Sequence, residues 1–197
     1  MKKTWYSMAL LFAVLVIGIV VKLFAEQADI KPDFSIRKCE SQTVLYTVYR
    51  GPYETIGKPI GQLYATAAQK KITPCGPPSL VYLNNPYSTL QDSPEKHCLT
   101  EIRIPVNQNA IQQSGTFVEM TDIKKLKAVD VAVMKKQIGQ TNYNALFETL
   151  YKRIAEEGYR SLDNAFEVFS TNMAGGDYTQ VKSEIMVPVV KTGQGKN

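Results

Sequence analysis

Residues 100–106 read TEIRIPV and residues 183–189 read SEIMVPV, so a Glu-Ile-x-(Ile/Val)-Pro-Val core occurs twice, 83 positions apart. Working outward from these stretches, further pairs keep a fixed spacing. Leu63 and Leu150, Ile72 and Tyr159, Tyr82 and Phe169, and Asn85 and Asn172 are each separated by 87 positions. Glu101 and Glu184, like Pro105 and Pro188, stand 83 apart. One constant spacing, broken once by a loop four residues shorter in the second copy, is what duplication of a unit predicts. Shared composition alone sets no register.

Each copy carries the same order of elements. In the first, FSIRKC (34–39) alternates as a short strand, and TVLYTVY (43–49) is β-branched and aromatic throughout, the mark of a strand buried on both faces. RGPY turns the chain. Apolar residues at Ile56, Ile60, Leu63, Tyr64 and Ala67 then form a helical stripe, with Pro59 in its first turn. PCGPP ends that helix, SLVYL (79–83) is a strand, residues 84–96 form a long loop, and CLTEIRIPV (98–106) closes the copy. In the second, VDVAVMK (129–135) is a strand, and a helix carries Leu146, Phe147, Leu150, Tyr151 and Ile154. Asn142 is its expected N-cap and Gly158 its end. FEVFS (166–170) and VKSEIMVPVV (181–190) complete the copy, and residues 192–197 are a tail. The plan is β-α-β-β twice, an α+β fold.

The N-terminus reads differently. Lys2 and Lys3 precede an uncharged run from Trp5 to Val21, followed by Lys22 and then Leu23, Phe24 and Ala25. The run is at the short end for a membrane-spanning helix, and snorkelling by Lys22 lengthens it, so residues 1–25 are expected to be a single-pass anchor. A cleaved signal peptide is the alternative, although Lys22 lies where a neutral cleavage region belongs. The positive-inside rule places the domain on the exported side. Residues 26–33, EQADIKPD, form the linker.

With that segment set aside, about 170 residues remain, enough for one domain with a sizeable core. The net charge is +5, but the Lys and Arg residues are scattered, which argues against a nucleic-acid partner. Cys39, Cys75 and Cys98 permit one disulfide without demanding it, match no zinc spacing, and read as small buried hydrophobes. The single histidine, His97, is expected in a loop. No GxSxG elbow, HExxH, phosphate-binding loop or dinucleotide fingerprint occurs, so neither metal nor cofactor is expected.

YRGPYETIG, a helix, GPPSLVYLNNP and EIRIPV, followed by a second helix ending EEGY, FEVF and EIMVPV, together resemble the GyrI-like small-molecule-binding domain. This is also the effector-binding domain of multidrug-responsive transcription activators. The resemblance covers about residues 34–191, with repeat one at about 34–107 and repeat two at about 117–191. It implies two β-α-β-β units about a pseudo-twofold axis, a curved antiparallel sheet with both helices on one face, and a ligand cleft at their junction. It also implies an acidic residue on the strand after the second helix, and Glu167 stands there, with Leu80 as its counterpart in the first copy.

Strand alternation gives Glu167 and Phe169 one face and Phe166 and Val168 the other. If the first face is the cleft, it offers an anionic anchor beside an aromatic wall, suited to an amphipathic cation. If that face meets water, Glu167 is a surface residue. Tyr49, Tyr53 and Tyr82 in the first unit, and Tyr143, Phe147 and Tyr159 in the second, are the candidate lining residues. Glu101 and Glu184 are expected to face solvent. The expected function is a membrane-anchored, non-catalytic module holding a small amphipathic or cationic molecule. One alternative is a protein-interaction adaptor at the membrane. Another is hydrolysis of strained cyclopropane compounds with Glu167 as acid, although Phe169 stands where relatives often carry Tyr.

Overall fold

The computed structural model describes residues 33–52, 55–84, 99–117, 120–136, 143–170 and 181–193. The N-terminal run at 5–21, Tyr53, His97, Cys98, Asn142 and most of the tail lie outside them. Among the described residues no helix is long and apolar enough to cross a membrane.

In chain order the elements are β1 (Phe34–Cys39), β2 (Gln42–Arg50), α1 (Gly57–Gln69), β3 (Ser79–Tyr82) and β4 (Leu99–Val106). A 3-10 turn follows at Gln108–Gln113. The second half holds β5 (Thr121–Leu126), β6 (Val129–Lys136), α2 (Tyr143–Glu156), β7 (Tyr159–Ser161), β8 (Phe166–Phe169) and β9 (Ser183–Lys191). β5, β7 and the 3-10 turn are additions to the plan read from periodicity. The spacing of 87 carries β1 onto β5 residue for residue, Phe34–Cys39 onto Thr121–Leu126. Each repeat is therefore β-β-α-β-β.

All described strands belong to one sheet, antiparallel throughout, in the order β1-β6-β9-β8-β3-β4-β2-β5, with β7 paired to β9 beside this path. The order is symmetric about its centre. The first strand of each repeat is donated to the other half: β1 pairs with β6, and β5 with β2. β1 and β2 lie six places apart in that order, yet only Glu40 and Ser41 connect them. Six places in a flat sheet span about 29 Å at strand spacing. Three Cα steps reach at most about 11 Å. The sheet must therefore curl, and the equally short β5–β6 connection imposes the same bend from the other repeat.

Both helices pack on one face. Ile60, Leu63 and Ala67 of α1 meet Leu45, Ile102 and Ile104, and Leu146, Phe147, Leu150 and Ile154 of α2 meet Ala132, Met134, Ile185 and Val187. On the opposite face Val81, Val131, Val133, Phe166 and Met186 form a third cluster. β2 is buried on both faces only at Thr43, Val44 and Leu45 and is half-buried from Tyr46 to Tyr49.

The recurrent glutamates need correcting. Glu101 is 6% exposed, not solvent-facing, because Arg103 and Lys124 surround its carboxylate. Lys124 sits on the donated strand β5, with its Nζ 2.7 Å from Glu101. In the related place Arg37, on the donated strand β1, pairs with the half-buried Glu184. The Glu-Ile repeat thus clasps each exchanged strand to the half that receives it.

Candidate functional site

The two middle strands, β3 and β8, place the site. Their register pairs Leu80 with Glu167, Val81 with Phe166 and Ser79 with Val168. Leu80 and Glu167 are also duplication counterparts, 87 positions apart, so the pseudo-twofold axis passes through this pair. One carboxylate replaces one isobutyl group at the point where the halves meet.

Glu167 and Phe169 share one face, as alternation predicts, and that face is the helix face; Phe166 and Val168 take the other. The carboxylate does not meet water: Glu167 is 2% exposed. An unpaired charge there would cost several kcal/mol, so its partners are required. Its Oε2 accepts from Tyr82 Oη at 2.5 Å, and Tyr143 Oη stands at 3.5 Å. Its Oε1 accepts from Lys136 Nζ at 3.1 Å and from the Ser183 hydroxyl. Lys136 Nζ also donates to Tyr143 Oη at 2.6 Å and lies 4.8 Å from the centre of that ring.

The structure brings Tyr82 and Tyr143 to this carboxylate and sets Phe147 against Tyr82. The Tyr82 ring meets Phe147 edge-on, with centroids 5.7 Å apart and planes at 85°. Tyr82 belongs to the first repeat but packs in the core of the second, while Phe169 packs in the core of the first. Antiparallel pairing about the axis explains the exchange: two residues beyond the central pair, each side chain lies over the other half. Tyr49 and Tyr159 lie elsewhere. Tyr49 Oη is 2.6 Å from Thr55 Oγ1 and 3.3 Å from the Pro52 carbonyl, folded back over the RGP turn. A Cβ on Gly51 would stand 2.3 Å from that hydroxyl, so a larger residue there would make the Tyr49 side chain move. Tyr159 packs half-buried beside α2.

Lys136 and Ser183 are the residues that motif reading missed. Ala132 and Met134 point into the helix-face core, so the next residue of that alternation, Lys136, must be buried too. Its counterparts make the asymmetry explicit. Lys136, Glu167 and Ser183 of repeat two correspond to Tyr49, Leu80 and Thr100 of repeat one. Thr100 is fully buried, and among the described residues its hydroxyl has no partner.

A cavity of about 460 Å³ occupies the opposite face. Val81, Phe166, Val168 and Met186 line it, with Cys39 at the end of β1 and Glu40 and Lys127 from the two connections that force the curl. Burial pushes the Cys39 thiol above its usual range. Among the described residues no cluster of His, Cys, Asp and Glu could hold a metal ion.

Comparison with known proteins follows the same outline. The sequence profile of the GyrI-like small molecule binding domain matches residues 32–190. The EcmrR C-terminal domain superposes with a TM-score of 0.63 at 15% identity, covering 82% of this chain and 99% of that one. EcmrR in its complex with DNA gives 0.66 at 14% identity, over 91% of this chain and 65% of that one. A hydrolase from Listeria innocua gives 0.57 at 10% identity, over 84% and 97%. At these identities the likeness is one of fold. No curated protein sequence matches significantly.

Proposed function

The chain belongs to the GyrI-like small-molecule-binding family, and from that premise we propose that it binds a small amphipathic molecule on the helix face, at the junction of its repeats, without catalysis. One observation carries this reading: a carboxylate buried on the pseudo-twofold axis, hydrogen-bonded to Tyr82 and flanked by Tyr143 and Phe147, where the other repeat has Leu80. A buried polar cluster rimmed by aromatic rings supplies orientation from its hydrogen bonds and affinity from apolar area. Tyr143, half-buried at the start of α2, is the outer member that a ligand meets first. The apolar run at residues 5–21 adds a membrane tether to this reading, which carbonate extraction of membranes tests. For binding, equilibrium dialysis of the full chain against a panel of aryl amphipaths is the direct assay. Glu167→Gln is expected to lower affinity about tenfold, because Lys136, Tyr82 and Tyr143 lose the charged acceptor that holds them in place. Unchanged affinity would remove Glu167 from the site.

A second reading places the ligand in the 460 Å³ cavity on the opposite face, a volume within the usual range for small-molecule sites. Met186→Trp, which fills that cavity, separates the two. Loss of binding in Met186→Trp with retention in Glu167→Gln favours the cavity; the reverse favours the Glu167 face.

A further inference from the structure

The Glu167 cluster already contains a cation. The Lys136 ammonium lies 3.1 Å from a carboxylate oxygen, 2.6 Å from a phenol oxygen and 4.8 Å from the centre of the Tyr143 ring. Carboxylate, hydroxyl and π face arranged around one positive centre are the contacts that the charged end of an amphipathic cation would seek. The Lys136 side chain is 1% exposed, so water does not screen this charge. Both members of the ion pair occur in repeat two alone, since repeat one has Tyr49 and Leu80 at the corresponding places. Acid and base together leave the site with no net charge.

We infer that Lys136 is a built-in cation that fills the cationic subsite and sets the ligand class: neutral amphipaths are accepted and lipophilic cations are rejected. The inference rests on the reading of the Glu167 face as the ligand site. A cation entering there would either stand beside a buried ammonium or force that ammonium off its only carboxylate partner among the described residues, and a low-dielectric surrounding magnifies both penalties. A neutral ligand of the same shape meets neither. Lys136 is therefore a specificity determinant that acts by charge and not by shape.

A matched pair of probes isolates the charge. The (4-phenylphenyl)trimethylammonium ion and neutral 4-tert-butylbiphenyl have nearly the same shape, and equilibrium dialysis against the full chain gives the ratio of their affinities. The wild-type protein is expected to favour the neutral probe. Lys136→Met, which keeps the unbranched stem and exposes the Glu167 carboxylate to the ligand, is expected to shift that ratio toward the cation by roughly tenfold or more, the equivalent of one pKa unit of charge interaction. Lys136→Arg keeps the charge and is expected to retain the wild-type preference. Wild-type protein that prefers the cation overturns the inference, and so does a ratio left unchanged in Lys136→Met. If Lys136→Met does not fold, Lys136→Gln, which removes the charge but keeps a donor for Glu167, takes its place, and an unchanged ratio there overturns the inference equally. Binding of neither probe to any of the three proteins overturns the ligand-site reading, and this inference falls with it.

Discussion

Removing one member of the Lys136–Glu167 pair should be far worse than removing both. The side chains are 1% and 2% exposed, so Lys136→Met leaves a buried carboxylate without its counter-ion and Glu167→Leu leaves a buried ammonium without its own. Each single change is expected to cost about 3–5 kcal/mol, the usual penalty for breaking a buried ion pair. In a domain of this size that lowers Tm by about 6–20 °C. The double variant Lys136→Met/Glu167→Leu makes this half resemble repeat one, which already carries Leu80 at the axis and leaves the Thr100 hydroxyl buried without a partner among the described residues. What remains lost is the acceptor for Tyr82, Tyr143 and Ser183, about 1–3 kcal/mol. The cycle therefore predicts a favourable coupling of at least about 3 kcal/mol, at or above the upper end of such values. Urea unfolding of the four proteins at one pH measures it. Losses that add to within about 0.5 kcal/mol would show that the pair is solvated and refute the reasoning.

Three other outcomes follow from the geometry. Glu101→Ala, which strips a 6% exposed carboxylate from Arg103 and Lys124, should lose about 2–3 kcal/mol, whereas Glu184→Ala should lose less than about 1 kcal/mol; chemical denaturation compares them, and equal losses would contradict the burial difference. Backbone N–H groups of Gly115 and Ile123, with the Ser114 hydroxyl, hold the Asp122 carboxyl below its usual range. A depressed carboxylate adds stability that is present above its unfolded pKa of about 4 and is lost as pH falls through the folded value. The stability gap between wild type and Asp122→Asn should thus be widest near pH 6 and close toward pH 2, as read from unfolding curves across that range. Cys75 is exposed while burial raises the Cys39 thiol, so mass spectrometry after brief iodoacetamide treatment at pH 8 should find Cys75 modified well before Cys39.

Much of the fold is legible in the chain because its signals are local. The stripe from Ile56 to Ala67 becomes α1, and the alternation in FEVF sends Glu167 to the helix face. The overlooked strand β5 was legible too: FSIRKC and TDIKKL match at the spacing of 87, with Ile36 over Ile123 and Arg37 over Lys124. TDIKKL escapes a reading by periodicity because a solvated edge strand with one buried apolar residue, Ile123, carries a weak period-two signal. The expectation that Glu101 faces water failed for a different reason. Its apolar neighbours Ile102 and Ile104 point to the helix face, and nothing nearby in sequence announces that Lys124 and the curl of the sheet will cover the other.

By itself the sequence determined the duplication, the order of elements within each copy, and the change from an apolar to an acidic residue at one central position, Leu80 against Glu167. Spacing and periodicity run along the chain, and those features need nothing else. Only the tertiary structure decided that the copies exchange their first strands, that Leu80 and Glu167 lie opposite one another on the axis, and that Lys136 reaches the Glu167 carboxylate. Each of these depends on strands paired across long separations and on the curl that two-residue connections impose. An ion pair between residues 31 positions apart is a property of that geometry and leaves no periodic trace in the chain.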